Sequence, residues 1–250
     1  MTKDTNVQPK VTIVIATFNA EAHLPECLAS IAALALDALE VVVVDGGSTD
    51  GTLALLRESP YPFLRWISEP DKGIYDALNK GAKMARGAWV HFLGSDDRLL
   101  PGFAELYHQL KDPHTIYYAN SEEWYSGEGK PKYHLLGGKF NKYRMAKYTV
   151  NHQAIVYPSV VFRDHAYNLK YKILADYALN IQLWGSRRFK KQYLPLYIAK
   201  YNMNGFSSDI EDYVFKADKP GLIRRHLGLV VYWRYLLKVM KKKREGHHDF

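Results

Sequence analysis

The chain has 250 residues, 47% of them hydrophobic, which suffices for one substantial core and suits a single α/β domain, so a second domain is allowed but not required. Its one cysteine, Cys27, excludes an intramolecular disulfide and fits a reducing compartment, with the cytosol the simplest expectation. The formal charge of +8 belongs to a tail: residues 216–245 carry ten Lys or Arg against two acids, and the remainder balances at 24 and 24, which argues against a nucleic-acid-binding body.

The opening residues, MTKDTNVQPK, are polar and lead straight into an apolar run, without a basic-then-apolar leader or a span long enough for a bilayer. The expectation is a protein that is soluble or rests on a membrane surface. Val11–Ala16, Glu40–Asp45, Phe63–Ile67 and Trp89–Leu93 read as strands, mostly apolar as buried parallel strands are. Between them Glu21–Leu34, Thr49–Glu58 and Gly73–Arg86 carry apolar residues at helical spacing, with Gly87 as a stop for the last. Strand–helix alternation of this kind predicts a mostly parallel sheet covered by helices on both faces. Farther on, Ile116–Ala119, Ala154–Val161 and Tyr197–Tyr201 are candidate strands, Leu174–Arg187 a candidate helix, and Ser126–Tyr148 a long loop or hairpin over the site. From Pro220 to Lys243 the pattern is that of one basic amphipathic helix, with Ile223, Leu227, Val230, Trp233, Leu237 and Met240 on its apolar side.

Ligands of open α/β sheets bind at the carboxyl ends of the strands, so the residues just after each strand carry the functional reading. Those segments are Thr17-Phe18-Asn19, then Asp45-Gly46-Gly47-Ser48-Thr49-Asp50-Gly51, then Glu69-Pro70-Asp71-Lys72-Gly73, and last Gly94-Ser95-Asp96-Asp97. Carboxylates gathered in one crevice repel unless a cation sits among them, and Mg²⁺ or Mn²⁺ held by one or two carboxylates and by substrate phosphates meets that need. A dinucleotide-binding site would want a glycine-rich turn after the first strand, but that turn reads ATFNAEAHL; no GxxxxGK[ST] loop is present either.

In order, TIVIATFNA, VVVVDGGSTDGT, SEPDKGIYDALNKG, a strand ending in GSDD, and ILADYALNIQLW resemble the inverting family 2 glycosyltransferases of GT-A fold, over roughly residues 10–210. The resemblance implies a nucleotide-binding half at 1–98 and an acceptor half at 99–215 of one GT-A domain, followed by the basic tail at 216–250. It implies that Ala16, Phe18 and Asp45 hold the base and ribose of a nucleotide, that Asp71 and Lys72 add to that pocket, and that Asp96 and Asp97 serve ribose and metal. Gly94 stands where the family often has a further acid, which leaves open whether Asp96 or Asp97 touches the metal. Asp176 matches the family's catalytic base. The implied reaction moves a hexose or N-acetylhexosamine from a nucleotide diphosphate sugar, UDP first among them, to a glycan or lipid-linked glycan hydroxyl with inversion, in bacterial surface-polysaccharide assembly. Mn²⁺ or Mg²⁺ is the implied cofactor.

Simpler readings stand beside these. DGGSTDG is also a self-satisfying turn, Asp96-Asp97 and Asp176 could each cap a helix, His152 in NHQ could be structural instead of part of a pair that resembles the His-Gln near the acceptor in related transferases, and Gly205–Ser208 could be a surface turn instead of a loop closing on phosphates. A sugar-nucleotide nucleotidyltransferase and a non-enzymatic basic membrane-binding module are the competing functions. The basic helix predicts contact with an anionic membrane at the cytoplasmic face of the inner membrane, with a helix packed on the domain as the alternative; nucleic acid is not an expected partner.

Overall fold

The structure is a computed structural model that describes residues 8–125, 137–203 and 211–245. Eight strands form one sheet in the order β3-β2-β1-β4-β7-β6-β8-β5. The first half supplies β1 (Val11–Thr17), β2 (Leu39–Asp45), β3 (Leu64–Ser68) and β4 (Trp89–Gly94), all mutually parallel. The short β5 (Arg98–Leu99) pairs antiparallel with β8 (Lys190–Asn202) at the far edge, while β6 (Thr115–Trp124) and β7 (Ile155–Pro158) join the halves. The β4–β7 and β6–β7 pairs are also antiparallel, so the second half makes the sheet mixed.

Alternation along β1 sets the two layers. Val11, Ile13 and Ile15 face a core shared with α1 (Leu24–Ala32), α2 (Thr52–Arg57) and α4 (Gly102–Gln109), whereas Val14 faces one shared with α3 (Ile74–Met84), α5 (Lys142–Lys147), α6 (Val161–Asp164) and α7 (Ala175–Gly185). Helix α7 is buried along nearly its whole length, which explains its lack of a polar face.

The C-terminal region departs from the single helix expected over 220–243. Helix α8 (Tyr213–Leu222) begins earlier, capped by Asp212, whose side chain accepts from the Phe215 amide, and it contains Pro220. A π turn (Ile223–Leu227) follows and ends at Gly228, whose φ of +97° breaks the chain before α9 (Leu229–Arg244). The expected apolar stripe therefore splits: Ile223 and Leu227 are buried, while Val230, Trp233, Leu237 and Met240 are exposed. Among the described residues no helix is long and apolar enough to cross a membrane.

Candidate active site

The ends of β1 and β4, the start of α3, the 151–154 segment and the head of α7 line one cavity of about 1140 Å³. Ala16 and Phe18 line it from β1, with the Phe18 ring 62% exposed. An apolar ring standing this far out of the core offers a flat face to a ligand. Its placement is inherited from the loop after β2. The Ser48 hydroxyl donates to Asp45 Oδ1 and accepts from the Asn19 amide at 2.7 Å, and Asn19 Oδ1 accepts from the Thr49 amide at 2.9 Å. That grip holds Asn19 at φ 49° and sets the turn carrying Phe18.

Asp45 itself is fully buried and is absent from the cavity wall. Its Oδ2 accepts from the amides of Gly47 and Ser48, both at 3.0 Å, and from the Ser68 hydroxyl at 2.6 Å. Burial pushes this carboxyl up, but the hydrogen bonds from Ser48, Ser68 and the two amides outweigh it and hold the group below the ordinary carboxylate range. The self-satisfied turn is thus the geometry found, and the carboxylates on the cavity wall are Asp71, Asp96, Asp97 and Asp176, with Glu211 and Asp212 from the segment before α8. Asp71 Oδ1 accepts from the Gly73 amide at 2.7 Å, and its other oxygen packs where a Cβ on Gly46 would lie, 2.6 Å away. Lys72 is exposed and off the cavity wall, with only its amide engaged, by Asp76 Oδ2 at 3.1 Å.

At the end of β4 the paired acids differ sharply. Asp97 is 2% exposed; its Oδ1 accepts from the Asn202 amide at 2.6 Å and its Oδ2 from the Gln153 side chain. Burial, then the Asp96 charge, raises its carboxyl to about 7. Asp96 is half-buried on the cavity wall and accepts from Asn202 Nδ2 at 3.2 Å. Gly94 is the reason the pair fits. A Cβ there would lie 2.2 Å from Asp97 Oδ2 and 3.0 Å from Asp96 Oδ1, so this packing leaves no room for the acid expected by resemblance. Neither acid caps α4, whose N-cap is Pro101.

Among the described residues no group of three or more His, Cys, Asp or Glu could hold a metal by itself. The donor chemistry still fits a divalent cation. One open carboxylate, with a second beside it pushed up by burial and then by the Asp96 charge, is what Mg²⁺ or Mn²⁺ uses when phosphate oxygens complete its shell.

Asp176 comes from the other half. It sits in the first turn of α7, but the N-cap is Leu174 and no side chain caps the helix, so capping is not its role. The Tyr75 hydroxyl lies 2.8 Å from its Oδ1 and also meets the Ile173 carbonyl, and His152 Nδ1 lies 3.3 Å from its Oδ2. Asp212 Oδ2 accepts from the amides of Ile173 at 3.0 Å and Leu174 at 3.2 Å, fixing the approach to α7. Gln153, Asn202, Tyr75 and Asp212 were not singled out from sequence; of the four, Gln153 stood inside the flagged motif NHQ and Tyr75 inside SEPDKGIYDALNKG. Gly205–Ser208 lie outside the described residues.

The sequence profile of glycosyl transferase family 2 matches residues 12–173. A "PGL/p-HBAD biosynthesis glycosyltransferase" of Mycobacterium bovis is 34% identical over 239 residues, covering 89% of either chain. Among solved structures, Staphylococcus aureus TarS in complex with UDP superposes with a TM-score of 0.66 at 19% identity over 87% of this chain and 70% of its own. The mannosyltransferase PcManGT from Pyrobaculum calidifontis, in complex with GDP-Man and Mn²⁺, reaches 0.59 at 17% identity over 93% and 65%. By profile match and by full-length similarity, the chain is a glycosyltransferase and belongs to glycosyltransferase family 2.

Proposed function

We infer that this enzyme moves a hexose or N-acetylhexosamine from a nucleotide diphosphate sugar, UDP-linked first among the candidates, to a hydroxyl of a glycan or lipid-linked glycan, with inversion. The observation that carries this reading is the single cavity in which Phe18, Asp71 and Asp96 from the first half meet Asp176 from the second. Phe18 offers a face to the base and Asp71 accepts from the nucleoside, while Ala16 leaves room beside them. Asp45 contributes by holding the Ser48–Asn19 turn under the base, and Lys72, exposed between the wall residues Asp71 and Gly73, would add a cation beside the pocket. Asp96 would hold the divalent cation, with Asp97 beside it as a buried negative charge braced by Gln153 and Asn202. The cation would offset charge on the departing diphosphate. Asp176 supplies the base function, drawing the proton from the attacking hydroxyl; such a group contributes ~10²–10⁴-fold in rate. Known solved relatives in fold carry UDP or GDP-Man, the latter with Mn²⁺, which supports the donor class and the metal. The polysaccharide setting and a place on the cytoplasmic face of the membrane complete the proposal.

The test is a thermal-shift and donor-hydrolysis screen across UDP-, GDP- and dTDP-sugars with and without Mn²⁺. One nucleotide is expected to give a manganese-dependent shift that Asp96→Asn abolishes. Asp176→Asn is expected to keep that shift and lose turnover by ~10²-fold or more. No shift with any nucleotide, or full turnover in Asp176→Asn, sinks the reading.

A further inference from the structure

Helix α3 starts on the donor side of the cavity and locks into the other half of the molecule. Its first turn follows directly on Asp71 and Gly73, and Gly73, Ile74 and Tyr75 line the cavity with Asp71. Tyr75 and Asn79 stand four residues apart and so share one face of the helix. Asn79 grips the backbone of Tyr167 twice, donating from Nδ2 to its carbonyl at 2.9 Å and accepting at Oδ1 from its amide at 2.8 Å. The buried Tyr75 ring packs on the Tyr167 ring, their centroids 5.1 Å apart. The helix is therefore fixed against the second half on the same face that sends the Tyr75 hydroxyl to the head of α7.

There a single hydroxyl meets two acceptors, Asp176 Oδ1 at 2.8 Å and the Ile173 carbonyl. Burial, then the Asp176 charge, pushes the Tyr75 hydroxyl well above its ordinary value, so it keeps its proton and acts as a donor. A hydrogen bond to an ionised carboxylate is stronger than one to a neutral carbonyl, so the hydroxyl serves Oδ1 while Asp176 is charged. Once Asp176 has taken a proton, the Ile173 carbonyl still satisfies it. The approach to α7 is braced from the other side by Asp212, which accepts from the amides of Ile173 and Leu174. Asp176 Oδ2 has two lone pairs and one neighbouring side chain, which leaves a place on it for a further proton.

We propose that Tyr75 is a positioning residue for the base, tying the Asp71–Gly73 segment of the donor pocket to Asp176 so that the carboxylate is held ionised, with Oδ2 turned to the acceptor. This rests on the transferase reading above, which makes Asp176 the base. In the step, the acceptor O–H bond breaks and its proton passes to Asp176 as the oxygen forms its bond to the anomeric carbon. The bond from that carbon to the phosphate oxygen breaks, with its electron pair going to the diphosphate. Tyr75 exchanges no proton and acts only through Asp176. The donor segment and the base thereby share one rigid strut, α3, instead of meeting through the cavity alone.

The test uses the full chain, MnCl₂ and two probes, UDP-N-acetylglucosamine and GDP-mannose, with water as acceptor and nucleotide release as readout. Tyr75→Phe keeps the ring that packs on Tyr167 and removes the hydroxyl alone; it is expected to lower kcat ~10-fold or more at unchanged donor KM. The double variant with Asp176→Asn is expected to be no slower than Asp176→Asn by itself, because a residue that acts through the base has nothing left to act on. Tyr167→Phe takes a hydroxyl from the same aromatic cluster off the cavity wall and is expected to keep wild-type kcat. Tyr75→Met, which also lacks the hydroxyl, is run beside Tyr75→Phe with melting temperatures for both, so that the comparison does not hang on one variant folding. Wild-type kcat in a folded Tyr75 variant overturns the assignment. So does a loss carried by donor KM, or a double variant slower than Asp176→Asn by the full Tyr75→Phe factor. A wild-type chain that neither binds nor hydrolyses either probe overturns the underlying transferase reading instead, and the assignment with it.

Discussion

At the level of single residues, Asp96 and Asp97 show how one dipeptide divides two tasks. Asp97 receives hydrogen bonds from Asn202 on one oxygen and Gln153 on the other, so it ties β4 to residues 105 and 56 positions away. Replacing it with Asn turns an amide hydrogen toward one of those donors and leaves a buried group unpaired. Asp97→Asn is therefore expected to lower unfolding free energy by about 1–3 kcal/mol in denaturant titrations. Asp96→Asn keeps its single exposed-side partner, so its stability is expected to stay within about 0.5 kcal/mol while manganese-dependent binding disappears. The GSDD motif marked the place, because acids after a strand are a local signal. Which acid stays open was not legible, since the groups that occupy Asp97 arrive from distant parts of the chain. Asp45 teaches the same limit from the other side: the turn chemistry of DGGSTDG was readable, but not that it would absorb the whole carboxylate.

Elements were legible where their patterns were local. The first four strands and three helices follow from apolar runs and 3.6-residue spacing, and each falls within a few residues of its expected bounds. The second half resisted because its strands are defined by partners: β6 and β8 run parallel with shifts of register near Asn120, and β5 is two residues long. The C-terminal helix resisted for a different reason. Periodicity continued through Gly228, but the backbone does not, and the π turn before it lies directly on the end of α7. A Cβ on Gly185 would come 2.0 Å from the His226 carbonyl oxygen, which is backbone and cannot swing aside. Gly185→Ala is thus expected to cost about 1–3 kcal/mol and to loosen the π turn, seen as faster amide exchange across 223–227 in the variant. Equal stability and unchanged exchange would show that α7 and the turn do not bear on each other this tightly.

Taken as a whole, the molecule carries a balanced body and a basic tail whose outermost helix is only half used by the fold. Tyr235 of α9 is buried, Val231, Leu236 and Val239 pack against the same core, and the Arg234 guanidinium lies 4.3 Å from the Tyr143 ring centre on α5. The opposite side presents Leu229, Val230, Trp233, Leu237 and Met240, between 49% and 74% exposed, flanked by Arg234, Lys241 and Arg244. The packed-helix and membrane-helix alternatives are therefore compatible, because α9 has one apolar row for the core and another facing outward. A row of this kind edged with cations suits the interface of an anionic bilayer, where each nearby Lys or Arg adds about 1 kcal/mol and the apolar side chains enter the acyl boundary. The full chain is expected to float with vesicles containing phosphatidylglycerol and to lose at least tenfold in binding on neutral phosphatidylcholine. Trp233→Glu with Leu237→Glu is expected to abolish flotation while leaving the melting temperature and donor hydrolysis in solution unchanged, since neither side chain reaches the core or the cavity. A wild-type chain that is dimeric without lipid, and monomeric once those two residues are charged, would mean that a second copy covers the row and that the site is not brought to a membrane by this helix.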